Sequence, residues 1–322
     1  MEEFKYLIPE ESIDAIITNV EKLREIENHL RHVFSNHGYN EVLMPSFEYV
    51  DLYTKLDCGF TVDKMFQYIN HEAKNVAMRL DFTIPLARLY ANSANTGEAR
   101  YSYFGKVYRK ETMHKGRSSE FFQAGIELLG QAGFAGDIEC LHIIQETLSY
   151  LGLKDIKIEM SSAKFYKRLC ELVDDTSFVD ILKKRDLSSM KILIDRKGIQ
   201  SPLKDLLIQL PRCFGDIEML NQMIMMIQDQ QLKDALLELR DLYDKLEKKE
   251  FFSFDLAMTP SMKYYTGIII KGYSPYSADT IINGGRYDKL MDHFHKVVPA
   301  IGFSYDLSHI LKALEKEEEN NA

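Results

Sequence analysis

The chain has 322 residues, 45% of them hydrophobic, and a net charge of -9. That is enough apolar material for one large domain plus an appendage, while the acidic balance excludes a broad nucleic-acid footprint, which needs clustered Lys and Arg to displace counterions. No apolar run of transmembrane length occurs and MEEFKYLIPEE lacks the basic and apolar regions of a signal peptide, so a cytoplasmic protein with no membrane partner is expected.

In chain order, Ser12 can cap a helix whose apolar positions, from Ile13, Ile16 and Ile17 to Val33 and Phe34, follow three-and-four spacing and end near Gly38. Tyr39 to Glu48 reads as a strand halted by Pro45. Met65–Tyr68 and Val76–Arg79 read as a hairpin. Beyond it Asp81 and Thr83 alternate onto one face ahead of a helix opening at Pro85, a helix that Asp81 could equally cap. From Arg100 to Gly130 the pattern is strand, polar loop, strand. Gln123, Gly125 and Glu127 share one face of the second strand, so Arg109, Glu111 or the loop's Arg117 can converge with them on a floor suited to a ligand bearing an anionic and an ammonium group. An isolated hairpin of this kind would carry the same charges in solvent.

Asp137–Leu151 reads as an amphipathic helix closed by Gly152, and Ile156–Met160 as a strand. The stretch 163–249 is helical and irregular, with Met223–Met226 as core filler. Phe251–Leu256 resumes strand character. Tyr264 and Tyr265 can wall a ring pocket, and Gly284 and Gly285 permit close approach of the backbone to a ligand. Glu315–Ala322 reads as a fraying acidic tail. Cys58, Cys140, Cys170 and Cys213 form no CxxC pair and read as free core thiols; His293 and His295 form no ligand set and read as a half-buried strand or helix end. No metal or cofactor is called for.

Tyr-x-Gly-x-Val-Tyr-Arg109-x-Glu, the loop ending Lys-Gly-Arg117, and Phe-x-Gln123-x-Gly-x-Glu127 together resemble motif 2 of the class II aminoacyl-tRNA synthetases in its histidyl version. The run from Gly38 to Glu48 is similar to motif 1 and Pro299–Phe303 to the start of motif 3; Tyr264-Tyr-Thr-Gly267 resembles the histidine-specific motif, and Gly284-Gly-Arg-Tyr-Asp288 the turn that follows it. The resemblance implies an α+β fold, a mainly antiparallel sheet flanked by helices. It divides the chain into a core domain over 1–162 and 250–322 and a helical insert over 163–249, and it places the homodimer contact on 38–48. An apolar edge strand there would also need cover. The hairpin around Arg109 and Gln123 is expected at the centre of the sheet, with 267–282 adjacent and the insert as a separate unit.

By the same resemblance Asp81 and Thr83, in place of the family's Glu and Thr, hold the amino group of histidine. Arg109, Gln123, Glu127, Tyr264, Tyr265, Gly284 and Gly285 complete a histidine pocket. Two positions depart from the family: Pro260 stands where an arginine precedes the paired tyrosines, and His309 where motif 3 ends in the arginine that holds ATP phosphates. The chain closes about a dozen residues after Ile310, so no anticodon-binding domain and no tRNA partner are expected. A kept pocket without adenylation cations is similar to the family of ATP phosphoribosyltransferase regulatory subunits. That likeness implies a non-catalytic protein of histidine biosynthesis, needed by a short catalytic subunit for activity and histidine feedback, in a hetero-octamer of four plus four chains. The competing readings are an active histidyl-type ATP-dependent ligase and an unrelated small-molecule module.

Overall fold

The computed structural model describes residues 17–56, 58–110, 119–277 and 279–321, so Ser12, Ile13, Ile16, Glu111 and Arg117 lie outside the described residues. Helix α1 (Ile17–Asn36) turns Ile26, Leu30, Val33 and Phe34 inward, as the spacing requires. Two short strands stand where one was expected, because Pro45 interrupts the run: β1 (Asn40–Glu41) and β2 (Phe47–Tyr49) belong to different sheets. After α2 (Val50–Thr54), strands β3 (Gln67–Ile69) and β4 (Asn75–Met78) form the expected hairpin, and β2 joins it in a three-stranded sheet. Helix α3 (Thr83–Asn92) then leads to the long hairpin of β5 (Ala99–Tyr108) and β6 (Glu120–Leu129).

Helix α4 (Gly133–Leu151) ends at Gly152, whose φ of +73° is the left-handed conformation that glycine adopts without penalty. Strand β7 (Lys157–Ser162) follows. The segment 163–249 holds α5 (Ala163–Val173), α6 (Ser177–Lys183), α7 (Leu187–Lys197), α8 (Leu203–Gln209), α9 (Ile217–Met226) and α10 (Gln230–Asp244). Between α8 and α9 lies the two-residue β8 (Phe214–Gly215). The chain closes with β9 (Phe252–Asp255), β10 (Ile268–Tyr273), β11 (Ile282–Arg286), β12 (Ala300–Asp306) and α11 (Leu307–Asn321).

Nine strands form the large sheet in the order β1-β5-β6-β12-β11-β10-β7-β9-β8. Every neighbouring pair is antiparallel except β1 with β5 and β7 with β9, so the sheet is mainly antiparallel as expected. The β5–β6 hairpin is not central: only β1 lies outside it. Nor does the 267–282 stretch adjoin it, because β12, arriving from the far end of the chain, pairs with β6, and β11 pairs with β12. Local patterning cannot reveal so remote a partner. The helices of 163–249 do not stand apart either. β8 pairs with β9, and Phe165, Leu169, Leu232 and Leu236 share one apolar core with Ile158, Met160 and Phe254 of the sheet. The acidic end is helical rather than frayed, since buried Glu317 on α11 accepts from the amides of Lys154 and Asp155 at 3.0 and 2.9 Å. His293 and His295 sit exposed at the end of a 3-10 turn, not half-buried. No helix of the described residues is long and apolar enough to cross a membrane, and none of their His, Cys, Asp or Glu clusters could hold a metal ion.

Candidate functional site

One face of the sheet carries a cavity of about 210 Å³. Period-two alternation brings Gln123 and Glu127 of β6 to its floor. Asp81 and Thr83 enter from the start of α3, and Tyr264 and Tyr265 from the segment before β10. Arg109 enters from the end of β5 and Gly284 from β11. Eight of the nine expected site residues therefore line one cavity. Gly285 does not; it stands behind the wall, where a Cβ would lie 2.5 Å from the Ile268 carbonyl and 3.0 Å from the Tyr265 ring.

Glu127 is the best-held acid. Thr83 Oγ1 donates to its Oε1 at 2.6 Å and Tyr287 Oη to its Oε2, and the side chain is 1% exposed. Burial pushes its carboxyl up to about 8, against the pull of those two hydrogen bonds. The space it occupies exists because residue 302 is glycine: a Cβ there would fall 1.8 Å from Glu127 Oε2. Asp81 is also buried, which pushes it up to about 7, although the positive charge of Arg109 draws it down. Its Oδ2 accepts from the Ile84 amide at 3.3 Å, so the capping role is real. Oδ1 is buried and has no hydrogen-bond partner, and Asp81 lines the cavity. A buried, unsatisfied acceptor costs free energy unless an ammonium or another donor arrives.

Tyrosines supply the walls. Tyr264 packs edge-on to Tyr265 with ring centroids 5.5 Å apart, and to Tyr287 at 5.8 Å. Tyr103 lies across from Gly125 in the β5–β6 register and stacks on Phe82 at 4.2 Å. Burial raises Tyr103, Tyr264 and Tyr287 well above the ordinary phenol range, so all three remain neutral donors. Tyr103, Tyr287, Asn283, Thr280 and Ser304 were not anticipated as lining residues. Tyr287 was signalled by its place in the Gly-Gly-Arg-Tyr-Asp turn, and Tyr103 by the glycine opposite it.

Two conspicuous arginines prove structural. Arg79 donates to the carbonyls of Met44, Pro45 and Lys106, fixing the crossing between the two sheets. Arg286 is buried and ties Asp137, Asp288 and the Gly133 carbonyl at the start of α4. Arg109 is thus the one cation among the described lining residues; its Nε donates to the Leu80 carbonyl at 2.8 Å. A neighbouring recess of about 160 Å³ shares Arg109, Gln123, Asn283 and Ser304 with the cavity and ends at Asp306 and His309. His309 Nδ1 lies 3.4 Å from Asp306 Oδ2. The site can hold an ammonium at its acids and a flat ring between tyrosines, and offers one guanidinium to an anion.

Residues 14–310 match the family model described as histidyl-tRNA synthetase. A curated relative from Lactococcus lactis subsp. cremoris (strain MG1363), named ATP phosphoribosyltransferase regulatory subunit, is 44% identical over 321 residues, 98% of this chain and 100% of its own. A relative of the same name from Bacillus cereus (strain G9842) is 27% identical over 329 residues, covering 99% of this chain and 78% of its own. A solved ATP phosphoribosyltransferase regulatory subunit/histidyl-tRNA synthetase from Bacillus halodurans C superposes with a TM-score of 0.86 at 25% identity, over 97% of this chain and 84% of its own. A histidine–tRNA ligase subunit from Alicyclobacillus acidocaldarius, at 22% identity and a TM-score of 0.81 over 99% and 100% of the two chains, shares the fold.

Proposed function

The chain belongs to the family of ATP phosphoribosyltransferase regulatory subunits, built on the histidyl-tRNA synthetase fold, and from that premise we propose that its cavity binds histidine and reports binding to a short catalytic ATP phosphoribosyltransferase. The chain acts in histidine biosynthesis as a regulatory subunit. In the proposed arrangement it is not itself an enzyme. It activates the catalytic chain, confers histidine feedback, and assembles with it four plus four in the cytoplasm, without tRNA.

The observation that carries this reading is the unsatisfied Asp81 Oδ1 beside the held carboxyl of Glu127, inside a ring of tyrosines of amino-acid size. The ammonium of histidine would sit among Asp81, Thr83, Gln123 and Glu127, satisfying Asp81 Oδ1, and the imidazole would lie against Tyr264 and Tyr265 with the tyrosine hydroxyls as polar partners. Arg109 would receive the carboxylate. Adenylation additionally needs cations on the developing pentavalent phosphorus. Pro260 and His309 occupy those places here, and losing both should cost about four orders of magnitude in rate, at roughly 3 kcal/mol each. The alternative, an active histidyl-type ligase, rests on Arg109, which lines both the cavity and the adjoining recess. Histidine-dependent exchange of pyrophosphate into ATP separates the two: the regulatory reading requires none above background, and exchange at synthetase rates would reverse the assignment.

Homodimerisation through 38–48 is part of the proposal. Leu43 is 89% exposed there, and Phe47 and Tyr49 continue the apolar surface onto the three-stranded sheet beside Tyr68 and Ile69. Surface of this kind marks a contact. Sedimentation of the isolated chain at micromolar concentration should return the mass of two copies.

A further inference from the structure

The wall of the cavity is tied to the helical segment by one side chain. Lys167, on α5, donates from Nζ to the main-chain carbonyl of Tyr265 at 2.6 Å. Among the described residues no carboxylate forms an ion pair with Lys167. Burial holds its ammonium below the usual lysine range, and Lys289 pushes the same way. Lys167 is an exposed residue, yet its ammonium reaches back to a carbonyl in the segment that carries both ring walls. The same end of α5 is fixed to that segment a second time, through the Ala163 amide and the Gly267 carbonyl at 2.8 Å.

The first two turns of α5 are also stapled to α10. Lys164 Nζ lies 2.7 and 2.8 Å from the two carboxylate oxygens of Glu238. Arg168 Nη2 donates to Asp229 Oδ2 at 2.7 Å, while Oδ1 of that aspartate accepts from the Leu232 amide and so caps α10. Lys164 is three residues from Lys167 and four from Arg168, so all three lie on one face of the 11-residue α5, and that face meets both the tyrosine segment and α10. A displacement of the Tyr264–Tyr265 wall would pull on the Lys167 contact and, through α5, on the first turn of α10.

We infer that Lys167 is a positioning residue that holds the tyrosine wall in its ligand-ready place and couples the cavity to the α5–α10 unit, so that an occupied and an empty cavity bias the helical segment differently. The inference rests on the histidine reading for the identity of the ligand but not for the existence of the tie. Reciprocity then requires that whatever binds or immobilises the α5–α10 unit also changes affinity at the cavity.

Hydrogen exchange on the full chain tests it, comparing the wild type with Lys167→Met and Lys167→Arg, each with and without 10-fold excess histidine over its dissociation constant. Without ligand, Lys167→Met should speed exchange in 262–268 and at the start of α10, and Lys167→Arg should restore protection, since arginine can reach the same carbonyl. With ligand, the wild type should gain protection in both places, and Lys167→Met only around the cavity, with affinity weakened about tenfold, the size expected for one charge-assisted hydrogen bond. Unchanged ligand-free exchange at both places in Lys167→Met would overturn the inference. So would faster exchange spread evenly over the chain with a lowered Tm, which is the mark of a merely structural lysine. If histidine protects nothing in the wild type, the ligand reading fails, and the ligand-free comparison still decides the tie.

Discussion

Glu127 and Asp81 define the chemistry of the cavity, because burial pushes both carboxyls up toward neutral pH. Their folded-state values, about 8 and about 7, lie above those of an unfolded chain. Between pH 4 and 8 the folded protein therefore binds more protons than the unfolded one, and stability falls as pH rises. The contribution is complete below about pH 4 and gone once pH passes the folded values. The Tm of the ligand-free chain should accordingly drop from pH 6 to pH 9, and Glu127→Gln should flatten that slope. Histidine should reverse it, since an ammonium favours both carboxylates: calorimetry at pH 7 in buffers of different ionisation enthalpy should register net proton release. Proton uptake would contradict the placement of the ammonium. At the same scale Thr83→Ala removes one of Glu127's two donors and should cost about 1 kcal/mol of stability in the ligand-free chain, read as a lowered Tm.

At the scale of elements, the β6–β12 pairing sets the shape of the floor, and Gly302 is where it is tightest. Gly302→Ala would drive a methyl group into the Glu127 carboxylate and the Ile126 carbonyl, so a loss of about 3 kcal/mol is expected in urea unfolding. The individual elements were largely legible. Alternation through Gln123, Gly125 and Glu127 announced a face, and three-and-four spacing announced α1. Pairing was not legible, because β12 reaches β6 from some 170 residues away and carries no local sign of its partner. For the same reason Asn283 became a pocket residue only once β11 was placed next to β12. The acidic helix α11 was misread as a tail because Glu317 finds its partners in the backbone of Lys154 and Asp155, which composition cannot foresee. Glu317→Ala should lower Tm, the effect of removing the buried acceptor that ties α11 to the amides of Lys154 and Asp155.

For the whole molecule, the fold is that of the histidyl-tRNA synthetases, and in the proposed function the cavity serves as a sensor. Motifs made the pocket readable because they fix residue type at fixed spacing; the surface that meets a catalytic chain has no such signature. In the proposed function histidine acts through this cavity on the catalytic partner. The most direct measurement is histidine inhibition of ATP phosphoribosyltransferase activity in the reconstituted complex, with Glu127→Ala and Tyr264→Ala compared with the wild-type chain. Both variants should co-purify with the catalytic chain and activate it, yet need at least tenfold more histidine for half-inhibition. Inhibition curves that superpose on the wild type would contradict the account and place the inhibitor site on another surface.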